Sequence, residues 1–89
     1  MNFLAVLVEF LGSFIFMFVI FVTLNPWAIG ATLALLIAFG GAAISGGHFN
    51  PAVTIMALYS GAIAPDNAVG YIVAQVAGGL LAATVASKK

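Results

Sequence analysis

Residues 45–54, Ser-Gly-Gly-His-Phe-Asn-Pro-Ala-Val-Thr, concentrate polar chemistry in the middle of an otherwise apolar chain of 89 residues. Pro51 suits the first position of a helix, where its missing N–H would be unpaired anyway. Asn50 is then the N-cap: its side-chain oxygen can accept from first-turn N–H groups, leaving its NH₂ free to donate. The helix dipole adds partial positive charge at the same point. A fixed donor there attracts a water oxygen or a hydroxyl and repels cations. The glycines permit an extended run from Ser45 to Phe49, whose carbonyls at Gly46, Gly47, His48 and Phe49 would form a ladder of acceptors leading to Asn50. Acceptors along an approach and a donor at its end are what a selective hydrogen-bonding pore requires. The alternative is a re-entrant segment that plugs a helix bundle.

Other chemistry is scarce. One histidine, two carboxylates (Glu9 and Asp66) and no cysteine give no catalytic constellation, so neither an enzyme, a metal site nor a cofactor is expected. Lys88 and Lys89 are the only basic side chains, which excludes a basic patch for nucleic acid. The chain is 65% hydrophobic, with a mean hydropathy of +1.31. A soluble domain this small could not hide so much apolar surface, because small domains bury the least. Composition therefore predicts an integral, multi-pass membrane protein surrounded by lipid. Glu9, alone at bilayer depth in the first apolar segment, defaults to a functional residue.

These residues must be positioned by a few elements. Residues 3–24 are long enough for a tilted spanning helix, and with no positive n-region or small-residue cleavage site they predict a retained span. Asn25-Pro26 is a turn signal, with Trp27 placed as an interfacial aromatic. Residues 27–44 give a second span. Residues 51–59 reach only roughly 13 Å, about half of a ~30 Å hydrocarbon core, and cannot cross. After the breaks at Ser60-Gly61 and Ala64-Pro65, Asn67 or Asp66 is available to cap a third span over 68–86. The predicted fold is an all-α membrane protein with three transmembrane helices and one re-entrant half-helix. Glycines on the spans, among them Gly12, Gly41 and Gly78, suit close helix packing.

The run from Ser45 to Thr54 resembles the first signature loop of the aquaporin and glycerol facilitator family. Val8-Glu9-Phe10-Leu11-Gly12-Ser13-Phe14 and Tyr71-Ile72-Val73-Ala74-Gln75-Val76-Ala77-Gly78-Gly79 are similar to its flanking span motifs, in the right order. That family has two inverted repeats of three spans and one half-helix each, whose Asn-Pro-Ala motifs meet at the midplane. The chain resembles one such half-repeat over residues 1–89. The resemblance implies that Asn50 donates to passing water or polyol hydroxyls while Pro51 and Ala52 stack against a partner motif, and that the carbonyls of Gly46, Gly47, His48 and Phe49 line the approach. His48 either presents its ring to a vestibule or uses it to hold the loop. By the same resemblance Glu9 and Gln75 brace the loop, against a proton-linked role for Glu9. Gly30 stands where the family has a bulky filter aromatic, and Val53 lies at the offset of its filter arginine. Both departures imply a wide aperture.

The expected function is half of a passive channel for water and small uncharged solutes such as glycerol. It would work when paired with an inverted half: a second copy in antiparallel orientation or another half-repeat, with several such pores assembled as a tetramer. The loops hold no lysine or arginine, and the tail lysines would draw the C-terminus to the cytoplasm, a weak bias compatible with dual insertion. Two other functions fit the composition. One is a small proton-coupled dimeric antiporter using Glu9; the other is a non-conducting fragment.

Overall fold

A computed structural model describes residues 1–87; the tail lysines that carry the orientation argument, Lys88 and Lys89, lie outside the described residues. Helix α1 runs Phe3–Thr23. Asn2 starts it by accepting from the Ala5 amide at 3.1 Å. Leu24 stops it in the left-handed region, φ +48°, one residue short of the expected end. At 21 residues it is roughly 32 Å long, enough to cross a bilayer core.

Asn25 and Pro26 then make a tight restart. The Asn25 side chain accepts from Trp27 N at 2.9 Å and Ala28 N at 3.0 Å, and α2 covers Pro26–Leu36. The second span is not one uniform helix. A π turn occupies Ile37–Gly41, with non-helical dihedrals at Phe39 and Gly40, before a last α-turn at Ala42–Ile44. Adjacent Gly40 and Gly41 lack the Cβ atoms that would hold the backbone to one helical path, a common cause of such kinks. The kink throws Phe39 outward, leaving it 82% exposed.

The short helix α3 spans Pro51–Tyr59 and α4 spans Pro65–Ala86. The third span therefore begins earlier than expected, capped by Ala64 without a side-chain bond, and neither Asp66 nor Asn67 is the N-cap. Pro65 takes the first helical position, which its fixed φ favours. Asn67 instead accepts from the Asn2 amide at 2.8 Å, and Asp66 pairs with the Met1 ammonium at 3.1 Å. These contacts bring the beginnings of α1 and α4 together, so the two helices run side by side in one direction.

The α1–α4 seam is the main packing surface. Gly78 makes it possible: a Cβ there would lie 2.7 Å from the Phe10 carbonyl oxygen and 3.1 Å from the Phe14 amide. Lipid supplies no hydrophobic drive between helices, so this backbone approach contributes through dispersion and shape. Pro26–Ile44, Phe3–Thr23 and Pro65–Ala86 are the three described helices long and apolar enough to cross a membrane.

Candidate functional site

Glu9, wholly buried in α1, organises the site. Its Oε1 accepts from the Phe49 amide at 2.8 Å and from Gln75 Nε2 at 2.8 Å. Its Oε2 accepts from Ser45 Oγ at 2.7 Å and from the His48 amide at 3.0 Å. Four donors, two on each oxygen, fill the acceptor capacity that makes a buried carboxylate tolerable. The loop's remaining amides also turn inward: Gly46 N donates to the Gly41 carbonyl at 2.8 Å and Gly47 N to Ser45 Oγ at 3.2 Å.

The carbonyls behave differently. Tyr71 OH donates to the Ser45 carbonyl at 2.7 Å. Among the described residues no donor reaches the carbonyls of Gly46, Gly47, His48 or Phe49. The run is not extended as expected. Gly46, Gly47 and Phe49 have φ of +90°, +66° and +52°. These left-handed dihedrals turn the backbone so that the His48 and Phe49 amides reach Glu9 while those of Gly46 and Gly47 bond to Gly41 and Ser45.

Phe49 is a non-glycine residue in the left-handed region, at a cost of order 1–2 kcal/mol. Its ring offsets that strain by burial. It is 1% exposed and seated between Gly12 and Gly41, where any Cβ would overlap it. Asn50 follows with φ −161° and ψ 123° and caps α3, its Oδ1 accepting from Ala52 N at 2.9 Å. Its Nδ2 has no partner among the described residues, and the side chain is exposed. Ala52 is exposed as well, and Pro51 and Val53 are half-buried.

Beneath the loop, Gln75 Nε2 also donates to Thr54 Oγ1 at 2.9 Å, and Thr54 Oγ1 lies 2.8 Å from His48 Nδ1. The His48 ring packs edge-on to Tyr71, with centroids 5.1 Å apart. Glu9, Gln75, His48, Phe49 and Asn50 thus converge on one loop. Gly30 does not join them; it is exposed on α2 with nothing within 4 Å of a Cβ position. Sequence reasoning missed Thr54, Tyr71 and the Ser45 hydroxyl. The available signal was spacing: Thr54 is one turn beyond Asn50, and Tyr71 one turn before Gln75, on the same helix faces. Two buried polar atoms, Ser13 Oγ and Gln75 Oε1, have no partner among the described residues.

This constellation of an Asn-capped short helix and a braced loop can be set beside known proteins. The chain is 44% identical over 86 residues to a glycerol uptake facilitator protein-like 6 of Lactiplantibacillus plantarum, covering 85% of this chain and 39% of the relative. It is 38% identical to an aquaporin Z of Photorhabdus laumondii, over 86% of this chain and 39% of the relative. It is 36% identical to a lens fiber major intrinsic protein of Gallus gallus, over 91% and 35% respectively. The chain therefore spans about two fifths of the length of these curated relatives. No solved structure matches it. With three apolar spanning helices, it is an integral, multi-pass membrane protein. Residues 22–88, most of its length, match the family model for the major intrinsic protein, and the chain belongs to that family.

Proposed function

We propose that the chain is one half of a passive channel for water and small uncharged solutes such as glycerol, conducting when a second, inverted half meets it. The observation that carries this reading is the division of polarity in the loop. Every amide from Gly46 to Phe49 is bound inside the fold, while four consecutive carbonyls and the Asn50 Nδ2 are unclaimed among the described residues. A permeating hydroxyl or water needs acceptors along the path and a donor at its end. The relatives, a glycerol uptake facilitator protein-like 6 and an aquaporin Z, point the same way by name.

In this reading α3, nine residues long, dips into the bilayer as a half-helix. Asn50, Pro51 and Ala52 face the corresponding motif of the second half. That half is either an antiparallel copy of this chain or another half-repeat, with the pores grouped as a tetramer. Open space around Gly30, and Val53 in place of a filter arginine, favour an aperture wide enough for glycerol.

The antiporter reading depends on Glu9 exchanging protons with the aqueous phase. Its complete burial and four donors support the bracing role instead. The test is stopped-flow swelling of vesicles containing the purified chain, with water and glycerol measured separately. Flux above that of empty vesicles, reduced to background in Asn50→Leu, is the expected result. Swelling indistinguishable from empty vesicles would overturn the proposal. A C-terminal reporter found on only one face of the membrane would eliminate the antiparallel copy as the second half.

A further inference from the structure

The chain has four threonines and one histidine, and the way they differ in bonding fixes the position of a proton. Thr23, Thr32 and Thr84 all donate their hydroxyls to the carbonyl one turn back: Val19 at 2.7 Å, Ala28 at 2.7 Å and Leu80 at 2.8 Å. That is the ordinary outcome for threonine in an apolar helix. Thr54, inside α3, is the exception. Its hydroxyl leaves the Asn50 carbonyl to its own amide and, among the described residues, meets only Gln75 Nε2 and His48 Nδ1.

The direction of each bond follows from what its neighbours can do. Glu9 Oε1 already receives the Phe49 amide and has only acceptor capacity, so Gln75 must turn its NH₂ toward it. The same nitrogen carries the second hydrogen to Thr54 Oγ1, leaving Gln75 Oε1 the unpartnered atom. Thr54 therefore accepts from Gln75, and its own proton has one acceptor within reach, His48 Nδ1.

We infer that Thr54 is a positioning residue that locks His48 as the Nε2–H tautomer, making the ring a fixed hydrogen-bond donor on the loop. Nε2 has no partner among the described residues and borders exposed Gly46, whose Cβ position lies 3.5 Å away. The ring is half-exposed and held edge-on to Tyr71. Resting on the channel reading, this gives a solute oxygen a second rigid donor beside Asn50, on the same loop as the free carbonyls.

Because His48 is the chain's one histidine, protein labelled with ¹⁵N-histidine reports it alone. NMR at about pH 8, on the basic side of ordinary imidazole titration, should show a protonated Nε2 and a bare Nδ1 in native protein and in Thr54→Ser. Thr54→Val, which removes the hydroxyl at constant shape, should show both tautomers. A proton on Nδ1 in the native protein or in Thr54→Ser would overturn the assignment, as would an unmixed native spectrum in Thr54→Val. Should Thr54→Val fail to fold, the first two spectra still decide. In vesicles, His48→Phe should lower water permeability about two- to tenfold, the worth of one hydrogen bond; unchanged permeability would overturn the donor role. Native chain with the Nε2–H spectrum but no flux would count against the channel reading and not against the tautomer.

Discussion

The α1–α4 side of the molecule and the α2 side are built to different standards. On the first, Glu9, Thr54 and Gln75 are wholly buried, and glycines admit a ring or a backbone where a methyl group would clash. On the second, α2 buries no residue, a Cβ at Gly30 would meet nothing within 4 Å among the described residues, and Phe39 stands out from a π turn. The contrast shows where this chain is complete in itself. The loop is held by α1 and α4, whereas α2 and the outer face of α3, where Ile55 and Met56 are more than half exposed, leave apolar side chains uncovered by the described residues. A polar cluster must be satisfied within the chain, because hydrocarbon offers no substitute hydrogen bonds. An apolar helix face has no such requirement, since lipid solvates it well.

That contrast can be broken most directly at Glu9. Glu9→Leu strands the His48 and Phe49 amides and one Gln75 N–H, and leaves the Ser45 hydroxyl only its longer 3.3 Å bond to the Gly41 carbonyl. At about 1–3 kcal/mol per stranded group, the loss should be at least ~3 kcal/mol and abolish folding, checked by recovery of monodisperse protein in detergent. A normally stable Glu9→Leu would mean that the cluster does not hold the loop. Gly12→Val comes next. Its branches would drive into the Phe49 ring, costing about 1–3 kcal/mol as overpacking. Phe49→Leu in the same chain should recover part of that loss in a thermal-melt double-mutant cycle.

A smaller effect is expected for Tyr71→Phe. It leaves the Ser45 carbonyl without its donor, lowering stability by about 1–2 kcal/mol on the same melts. Gly30→Ala should be smallest and of opposite sign. With open space around it, it gains up to about 1 kcal/mol from helix propensity. A destabilised Gly30→Ala would reveal packing on α2 that the single chain does not contain.

How far the sequence could be read depended on how unusual each residue was in its surroundings. Glu9 stood out because a carboxylate in an apolar span has few tolerable explanations. Asn50 stood out because Asn followed by Pro is a cap signal. Thr54 and Tyr71 did not, since either is unremarkable in a membrane helix and becomes informative only when its partner is known. The kink at Gly40-Gly41 is not legible in the sequence, because paired glycines serve helix contact as readily as bending. The third span starts before the residues that are good caps by type, Asp66 and Asn67, because Pro65 suits the first helical position.

Composition and local pattern alone determined that the chain is all-helical, crosses a membrane, and interrupts its apolar run with an Asn-capped helix too short to span. Those properties depend on neighbours a few residues apart and on total apolar content. Only the tertiary structure decided which way each loop amide and carbonyl faces, that Phe49 occupies a left-handed position between Gly12 and Gly41, and that Thr54 turns its hydroxyl to His48. The bonds to Glu9, Gln75 and Thr54 join groups 6 to 66 residues apart in sequence, brought together when α1 and α4 pack. A hydrogen bond's direction is set by the whole set of donors and acceptors that meet there.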